Sequence, residues 1–180
     1  MNLISSKKKK KKNRSNIAAP KIIRIDLQTK QVHIEFITKS HPLYKYAGRA
    51  LTSKIIATEV PARTNPLGPE NKLIFACGFL TGTFAPNSGR GSIGAKSPLT
   101  DGIKESNIGG RVPALVAKHN IRAIILEHQS PEWVILKITS NSVKFLDIDT
   151  NQIQNNYDLH RKLLAKAPSL SGVLSIGLAG

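Results

Sequence analysis

Cysteine, aromatic residues and long hydrophobic runs are all scarce or absent in this chain of 180 residues. The single cysteine, Cys77, excludes an internal disulfide framework and predicts a cytoplasmic protein. It stands in the apolar run LIFACG, so we expect a buried thiol without a chemical role. Aromatic residues make up only 5% of the chain, so the core must be built from Ile, Leu, Val and Ala. The apolar runs are too short for a membrane-spanning helix, and no apolar segment typical of a secretory signal follows the first charges.

Acidic residues are also few: 27 Lys and Arg stand against 11 Asp and Glu, which gives a formal net charge of +16. Nine of the basic residues fall in residues 1–24, where no acidic residue occurs. The like charges of Lys7–Arg14 repel one another, so we predict a disordered basic tail over 1–20. The tail either binds nucleic acid weakly through phosphates or is a solvated extension. We favour the second, because no aromatic residue stands among the lysines to stack on bases.

The spacing of apolar residues predicts one α+β domain over 21–180, with mainly antiparallel sheets and a few short helices. Expected strands are Lys21–Leu27, Val32–Ile37, Leu73–Cys77, Ser92–Lys96, Ile121–Glu127, Trp133–Thr139, Val143–Leu146 and Val173–Ile176. Expected helices are Tyr46–Val60, Val112–His119 and Tyr157–Ala165, the last of them ended by Pro168. A likeness between Leu73–Gly82 and Val173–Gly180 also hints at an internal repeat, although a strand followed by glycine is common.

The segment from Asn65 to Gly110 contains nine of the 13 glycines, interspersed with Ser, Thr, Asn and basic residues. Glycine lets the backbone approach a ligand closely, and amides exposed in such loops bind anions. Arg90 stands between two glycines and can hold a phosphate with two N–H groups. Gly109 and Gly110 precede a predicted helix, whose first N–H groups favour an anion. The segment therefore predicts a binding site for a large phosphorylated group, without a catalytic side chain.

Other residues of this segment are weaker candidates. Lys96 is either a point charge near the phosphates or an ordinary lysine at the end of a strand. Thr81 and Thr83 offer hydroxyl donors from a loop. Ser106 and Asn107 form either a second ligand-binding segment or a turn that caps the following helix. The five histidines are scattered without the spacing of metal ligands.

The order of the motifs resembles the N-terminal domain of the tungsten-dependent aldehyde ferredoxin oxidoreductases. The matching motifs are PLGPENKL, GFLTGT, AP-x-SGR, KSPLTDGI and SN-x-GG, with RIDLQT and YAGRAL before them and RAIILE and SIGLAG after them. Several linked motifs in one order are more specific than a single glycine pattern. The resemblance covers Lys21 to Gly180. It implies a domain of two related α+β halves, of which the second is expected to be incomplete here.

The resemblance also implies a role for individual residues. Arg90 resembles the family's arginine between the bis-pterin cofactor and the neighbouring iron–sulfur cluster. Asn107 matches the asparagine whose backbone carbonyl helps to hold a magnesium ion that bridges the phosphates of the two pterins. Gly109, Gly110 and, more weakly, Lys96 complete the expected contacts to a bis-pterin that carries tungsten or molybdenum.

The family's enzymes oxidise aldehydes to carboxylic acids with ferredoxin as the electron acceptor. Their [4Fe–4S] cluster is held by cysteines of later domains, so we expect this chain to be inactive alone: it either acts with a separately encoded, cluster-bearing polypeptide or is a truncated remnant. Two alternatives stay open at this point. In the first, the chain is a non-enzymatic basic protein that binds nucleic acid. In the second, it is an inactive gene fragment.

Overall fold

A computed structural model describes residues 19–150, 153–166 and 171–177 of the chain. The expected basic tail before Ala19 and the helix stop at Pro168 lie outside the described residues. The described strands are β1 Lys21–Asp26, β2 Val32–Phe36, β3 Lys72–Cys77, β4 Gly91–Lys96, β5 Ile103–Ile108, β6 Ile121–Glu127, β7 Val134–Ile138 and β8 Val143–Asp147. The described helices are α1 Gly48–Glu59, α2 Arg111–Lys118 and α3 Asn156–Ala165.

Six strands form one sheet in the order β2-β1-β6-β3-β4-β5, and β7 pairs with β8 in a second sheet. The pair β1–β6 is parallel, and the other described pairs are antiparallel. The predicted α+β class with mainly antiparallel pairing is therefore confirmed. The first two predicted strands, which pair as a hairpin, and the three predicted helices are confirmed as well, with ends that shift by one or two residues.

The six-stranded sheet is covered on both faces. On one face, α1 packs through Leu51, Ile55 and Ile56 against a cluster that includes Ile22, Ile74, Ala76, Ala123 and Ile125. On the other face, α2 and the β7–β8 hairpin cover Ile23, Ile25, Phe75, Cys77, Ile121 and Ile124. The strands β1, β3 and β6 thus bury side chains on both faces, which explains their nearly continuous apolar sequences.

Helix α1 approaches β4 closely because Gly94 has no side chain. A Cβ built on Gly94 would lie 2.5 Å from the Cβ of Thr52, a residue that is itself fully buried. Gly48, the first residue of α1, lies beside Gly78 at the end of β3. The helix therefore starts at the end of the sheet where β3 finishes, which places its N-terminus near the predicted ligand segment.

Two sequence-based expectations need correction. Strand β5 was not expected, because the apolar residues of IKESNI do not alternate; the strand lies at the sheet edge, where polar side chains are exposed. The predicted strand Val173–Ile176 is wrong, since residues 171–177 form no strand. These residues pack against helices instead: a Cβ on Gly172 would contact Val112, and one on Gly177 would contact Asn156. Residues 173–177 therefore do not repeat the structure of β3.

The described residues include no helix that is both long enough and apolar enough to cross a membrane.

Candidate functional site

Strand register brings Arg90 and Gly109 together. Gly91 at the start of β4 pairs with Ile108 at the end of β5, so Arg90 and Gly109 flank the same end of the strand pair. Atom Nη1 of Arg90 would lie 3.9 Å from a Cβ built on Gly109. The guanidinium therefore lies against the backbone that leads into α2.

These residues line an open cleft of about 480 Å³, whose walls are Asn87, Gly89, Arg90, Gly109 and Gly110. A Cβ built on Gly89 or Gly110 would meet no atom within 4 Å, so the missing side chains leave space in the cleft. Gly110 has φ 80° and ψ −155°, a conformation that is almost confined to glycine. The glycines thus give the cleft its room and direct the chain into α2.

Helix α2 begins at the cleft. Its N-cap is Gly110, which offers no side-chain hydrogen bond to the first turn, and that turn contains no acidic residue. Pro113 in the first turn has no N–H of its own. The positive end of the helix macrodipole therefore lies beside Arg90, and no carboxylate in the first turn of α2 offsets it. This arrangement favours the binding of an anion.

Thr81 holds the loop between β3 and β4. Its hydroxyl accepts a hydrogen bond from the N–H of Gly78 at 3.0 Å and donates one to the carbonyl of Arg90 at 2.6 Å. Thr83 donates to the carbonyl of Leu80 at 2.7 Å. Both hydroxyls, expected from the sequence to be ligand donors, are therefore used within the loop.

Asn107 lies at the same end of the sheet, in β5 and opposite Ser92 of β4. It is exposed and stands two residues before Gly109. The alternative that Ser106 and Asn107 form a capping turn is wrong, because both belong to β5 and α2 is preceded by Gly110.

Lys96 lies away from this cleft, at the opposite end of β4. Its ammonium donates to the carbonyls of Ala62 at 2.6 Å and Thr64 at 2.7 Å, and pairs with the carboxylate of Asp101 at 3.0 Å. The side chain is only 5% exposed, and three oxygens match the three N–H donors of an ammonium group. The expectation that Lys96 contacts the ligand of Arg90 is therefore corrected: this lysine anchors the 61–64 loop.

Charges are distributed unevenly between the two ends of the six-stranded sheet. We call the end where β3 and β5 finish the basic end, since Arg49, Arg90, Arg111 and Arg122 lie there. Arg122 donates to the carbonyl of Tyr46 at 3.3 Å, and its guanidinium carbon lies 4.5 Å from the ring centre of Phe79. Of these cations, Arg49, Arg90 and Arg122 form no ion pair with any described residue.

At the opposite end, which we call the acidic end, carboxylates have cationic partners. Arg24 contacts Glu59 at 2.8 Å and Glu127 at 3.2 Å, and Lys72 pairs with both carboxylates. Asp26 at the same end lies 3.0 Å from Nδ1 of His128, which is a cation only when it is protonated. At the basic end, by contrast, Arg49, Arg90 and Arg122 have no carboxylate partner among the described residues, and a bound anion would supply the missing charge.

Burial changes the protonation of two side chains near the basic end. Desolvation lowers the pKa of Arg122, which still stays charged at neutral pH because an arginine starts from so high a value. Burial raises the pKa of the Cys77 thiol to about 12, so the thiol is neutral. The expectation of a buried cysteine is confirmed, since Cys77 is 1% exposed. No group of three or more His, Cys, Asp or Glu side chains in the described ranges is arranged to hold a metal ion.

Sequence reasoning missed Asn87, Gly89 as a wall of the cleft, and Arg122. Asn87 has φ 56°, and the run Pro-Asn-Ser-Gly is a recognisable turn signal that could have marked it. Arg122 had no local signal, because its place beside Phe79 and Tyr46 depends on how three separate segments pack.

Comparisons with known proteins identify the family of the chain. The sequence profile of the family described as "Aldehyde ferredoxin oxidoreductase, N-terminal domain" matches residues 22–180. The tungsten-containing aldehyde ferredoxin oxidoreductases of Thermococcus kodakarensis and Pyrococcus furiosus are 35% and 33% identical to the chain over 127 residues, which are 71% of this chain. That match spans 21% of each relative, so the chain corresponds to about a fifth of their length.

A solved structure shares the fold. It is the active-site complex BamBC of benzoyl coenzyme A reductase in complex with 1,5-dienoyl-CoA, with a TM-score of 0.75 and 25% sequence identity. The similarity covers 82% of this chain and 22% of that one. With the profile match over nearly all of its length, the chain belongs to the family of aldehyde ferredoxin oxidoreductase N-terminal domains.

Proposed function

We propose that this chain binds one face of a tungsten or molybdenum bis-pterin cofactor. The oxidoreductase that it serves oxidises aldehydes to carboxylic acids and passes the electrons to ferredoxin. The observation that carries the proposal is the cleft between Arg90 and Gly110, where Arg90 has no ion pair with any described residue. Relatives that are named as tungsten-containing aldehyde ferredoxin oxidoreductases support the choice of cofactor and reaction.

The size of the cleft suits part of a large ligand. Its volume of about 480 Å³ is within the range of small-molecule sites, and it is open to one side. Open space at the Cβ positions of Gly89 and Gly110 lets a planar or phosphorylated group reach the backbone. An open cleft fits a chain that covers one side of a cofactor while other parts of the enzyme cover the rest.

The donors around the cleft suit phosphate. Arg90 offers a planar set of N–H groups, and the start of α2 adds the positive end of a helix dipole. Asn107 belongs to an edge strand, so one side of the β5 backbone has no partner strand. Backbone carbonyls are oxygen ligands of the type that magnesium prefers, and we assign the magnesium contact to the carbonyl of Asn107 because this residue matches the family's asparagine.

The cofactor, when bound, would supply the two-electron chemistry of aldehyde oxidation. The residues of this chain would bind and orient it: Arg90 and the α2 N-terminus hold its phosphates, while Gly89, Gly109 and Gly110 admit it to the backbone. Lys96 has no part in this proposal. The [4Fe–4S] cluster, the contact with ferredoxin and the aldehyde pocket we assign to other domains or to a separately encoded polypeptide in the cytoplasm.

Isotope-labelled chain titrated with inorganic pyrophosphate tests the site directly. We expect saturable shifts of the amide resonances of Arg90, Gly109 and Gly110, with the β7–β8 hairpin unaffected as an internal control. Uniform small shifts over all basic residues, without saturation, would contradict a defined phosphate site.

Metal analysis tests the cofactor. The chain is co-expressed with the polypeptide encoded beside it in cells supplied with tungstate, and the complex is purified without oxygen. We expect tungsten and pterin to copurify with the wild-type chain. A complex that forms but contains neither would overturn the proposal.

The lysine-rich tail raises a separate prediction, which concerns residues outside the described ranges. Weak nucleic-acid binding through this tail predicts that removal of Met1–Arg14 abolishes binding or flattens its salt dependence. Binding that survives with an unchanged salt slope would contradict that role.

A further inference from the structure

We propose that Thr81 is a positioning residue for Arg90, and that its hydroxyl keeps the Arg90 backbone in the place from which the guanidinium reaches the cleft. The inference rests on the proposed function of the cleft, but its geometry is independent of any bound group. Thr81 itself does not line the cleft, so it acts through Arg90.

The hydroxyl of Thr81 joins two strands that the loop separates. It receives the N–H of Gly78, directly after β3, and donates to the carbonyl of Arg90, directly before β4. Thr81 is 8% exposed, so water competes little for either bond. The pairing of Gly91 with Cys77 places the start of β4 beside the end of β3, and the Thr81 hydroxyl ties the preceding residue, Arg90, to the same place.

Arg90 needs such a restraint because of its neighbours. Gly89 and Gly91 stand on either side, and glycine has more backbone freedom than any other residue. The N–H of Arg90 bonds only to the nearby carbonyl of Ser88, at 2.8 Å, which does not tie it to the sheet. The Thr81 bond connects residues nine positions apart and links Arg90 to the core.

The chemistry of the position is specific to a hydroxyl. Here one atom, Oγ1, accepts from a backbone N–H and donates to a carbonyl, and a hydroxyl oxygen such as that of Ser or Thr can do both, whereas the amide of Asn divides the two roles between separate atoms. Gly78 has to be small as well, since a Cβ there would lie 3.1 Å from the Thr81 hydroxyl oxygen. Thr81 and Gly78 therefore form one unit at the foot of the loop.

Thr83 provides a matched control in the same loop. Its hydroxyl accepts from Ala85 and donates to Leu80, so it makes only local bonds that do not reach Arg90. The variants to compare are T81V, which keeps the shape without the hydroxyl, T81S, which keeps the hydroxyl, and T83V.

The experiment measures, by calorimetry, the pyrophosphate affinity of the full chain with each of these substitutions alone and with each of them combined with R90Q. We expect T81V to bind about five- to tenfold more weakly than the wild type, and T81S and T83V to bind within about twofold of it. In the R90Q background, T81V should cause no further loss, because the two residues act through one contact.

A purely structural role would lower the melting temperature without this coupling. The inference is overturned if T81V binds as tightly as the wild type, or if it loses the same factor with and without Arg90. A wild-type chain that does not bind pyrophosphate overturns the proposed function instead. The nuclear Overhauser contact between Arg90 and Gly109 in the free protein then decides: its loss in T81V but not in T83V supports positioning, and its survival in T81V refutes it.

Discussion

Arg90 and Gly109 lie side by side at the end of the β4–β5 strand pair, with Nη1 of Arg90 3.9 Å from the position of a Cβ on Gly109. Antiparallel pairing of β4 with β5 brings them together although they are 19 residues apart in sequence, and Arg90 is the last residue of the loop between β3 and β4. The cation therefore stands where the backbone turns into α2. Both residues line the same cleft, so one ligand can contact both of them.

The first prediction concerns the charge of Arg90. R90Q should weaken pyrophosphate binding by at least about tenfold, because hydrogen bonds to charged groups contribute about 1.5–3 kcal/mol. The melting temperature should stay nearly the same, since Arg90 is exposed and has no ion pair with a described residue. Lys118 at the far end of α2 provides the control: K118Q removes the same charge, and calorimetry should show almost unchanged affinity. Equal losses in both variants would indicate a general charge effect rather than a site.

The second prediction separates two glycines of the cleft. G110A should lower the free energy of unfolding by about 1–3 kcal/mol, because φ 80° with ψ −155° strains any residue with a Cβ. G89A should leave stability nearly unchanged, since its Cβ would meet no atom within 4 Å. The methyl group would instead occupy the cleft and reduce pyrophosphate affinity. Urea unfolding and calorimetry on both variants check this, and a G110A variant as stable as G89A would contradict the strain argument.

Much of the fold could be predicted, because buried strands have a recognisable apolar sequence. Burial on both faces requires the apolar runs of β1, β3 and β6, and burial on one face requires the helical spacing of apolar residues in α1. Both patterns can be read from the sequence. Strand β5 could not be predicted in this way. It is held to β4 by backbone hydrogen bonds, which leave no pattern in the sequence, and an edge strand needs no alternation of apolar residues. The prediction of a strand at Val173–Ile176 was wrong for the opposite reason, since an apolar pattern is present without a strand. Val173 and Ile176 have strand-like composition, but residues 171–177 pack against helices rather than join a sheet.

The candidate site was predictable where glycine and arginine stand together in sequence. The register of β4 and β5 brings together the residues that the motifs single out, namely Arg90, Gly109 and Gly110. Lys96 could not be judged from sequence, because its partners at Ala62 and Thr64 depend on where a distant loop packs. A lysine near a glycine motif and a lysine that anchors a loop have the same local sequence.

The third prediction tests that structural role of Lys96. K96M should destabilise the chain by about 1–3 kcal/mol, because it leaves two carbonyls and a carboxylate without their donor. It should leave pyrophosphate affinity unchanged. Lys104 is a fair control, since it is an exposed residue of the neighbouring strand β5, and K104M should change stability little. A K96M variant of normal stability that no longer binds pyrophosphate would restore Lys96 to the site.

The last prediction concerns the acidic end of the sheet and its dependence on pH. Glu59 at the end of α1 contacts Arg24 and Lys72, and the same two cations also contact Glu127, while Arg24 bonds Glu35 at 2.6 Å. Burial alone would raise the pKa of Glu59, but the hydrogen bonds and charge of Arg24, with help from Lys72, outweigh it and lower the pKa below its usual 4.5. The folded state therefore favours the ionised carboxylate. Its contribution to stability is complete above the usual pKa and is lost as the pH falls through the lower, folded value.

For E59Q we accordingly expect a free energy of unfolding about 1–2 kcal/mol lower at pH 7, since a half-buried ion pair loses one partner. Below pH 4.5 the difference from the wild type should shrink, because the wild-type carboxylate becomes protonated as well. Urea unfolding between pH 7 and pH 3 measures both effects. Glu70 is exposed in a loop and pairs with no described residue, so E70Q should follow the wild type throughout. If E59Q loses stability in parallel with the wild type over the whole pH range, then Glu59 is not the group whose ionisation stabilises the acidic end.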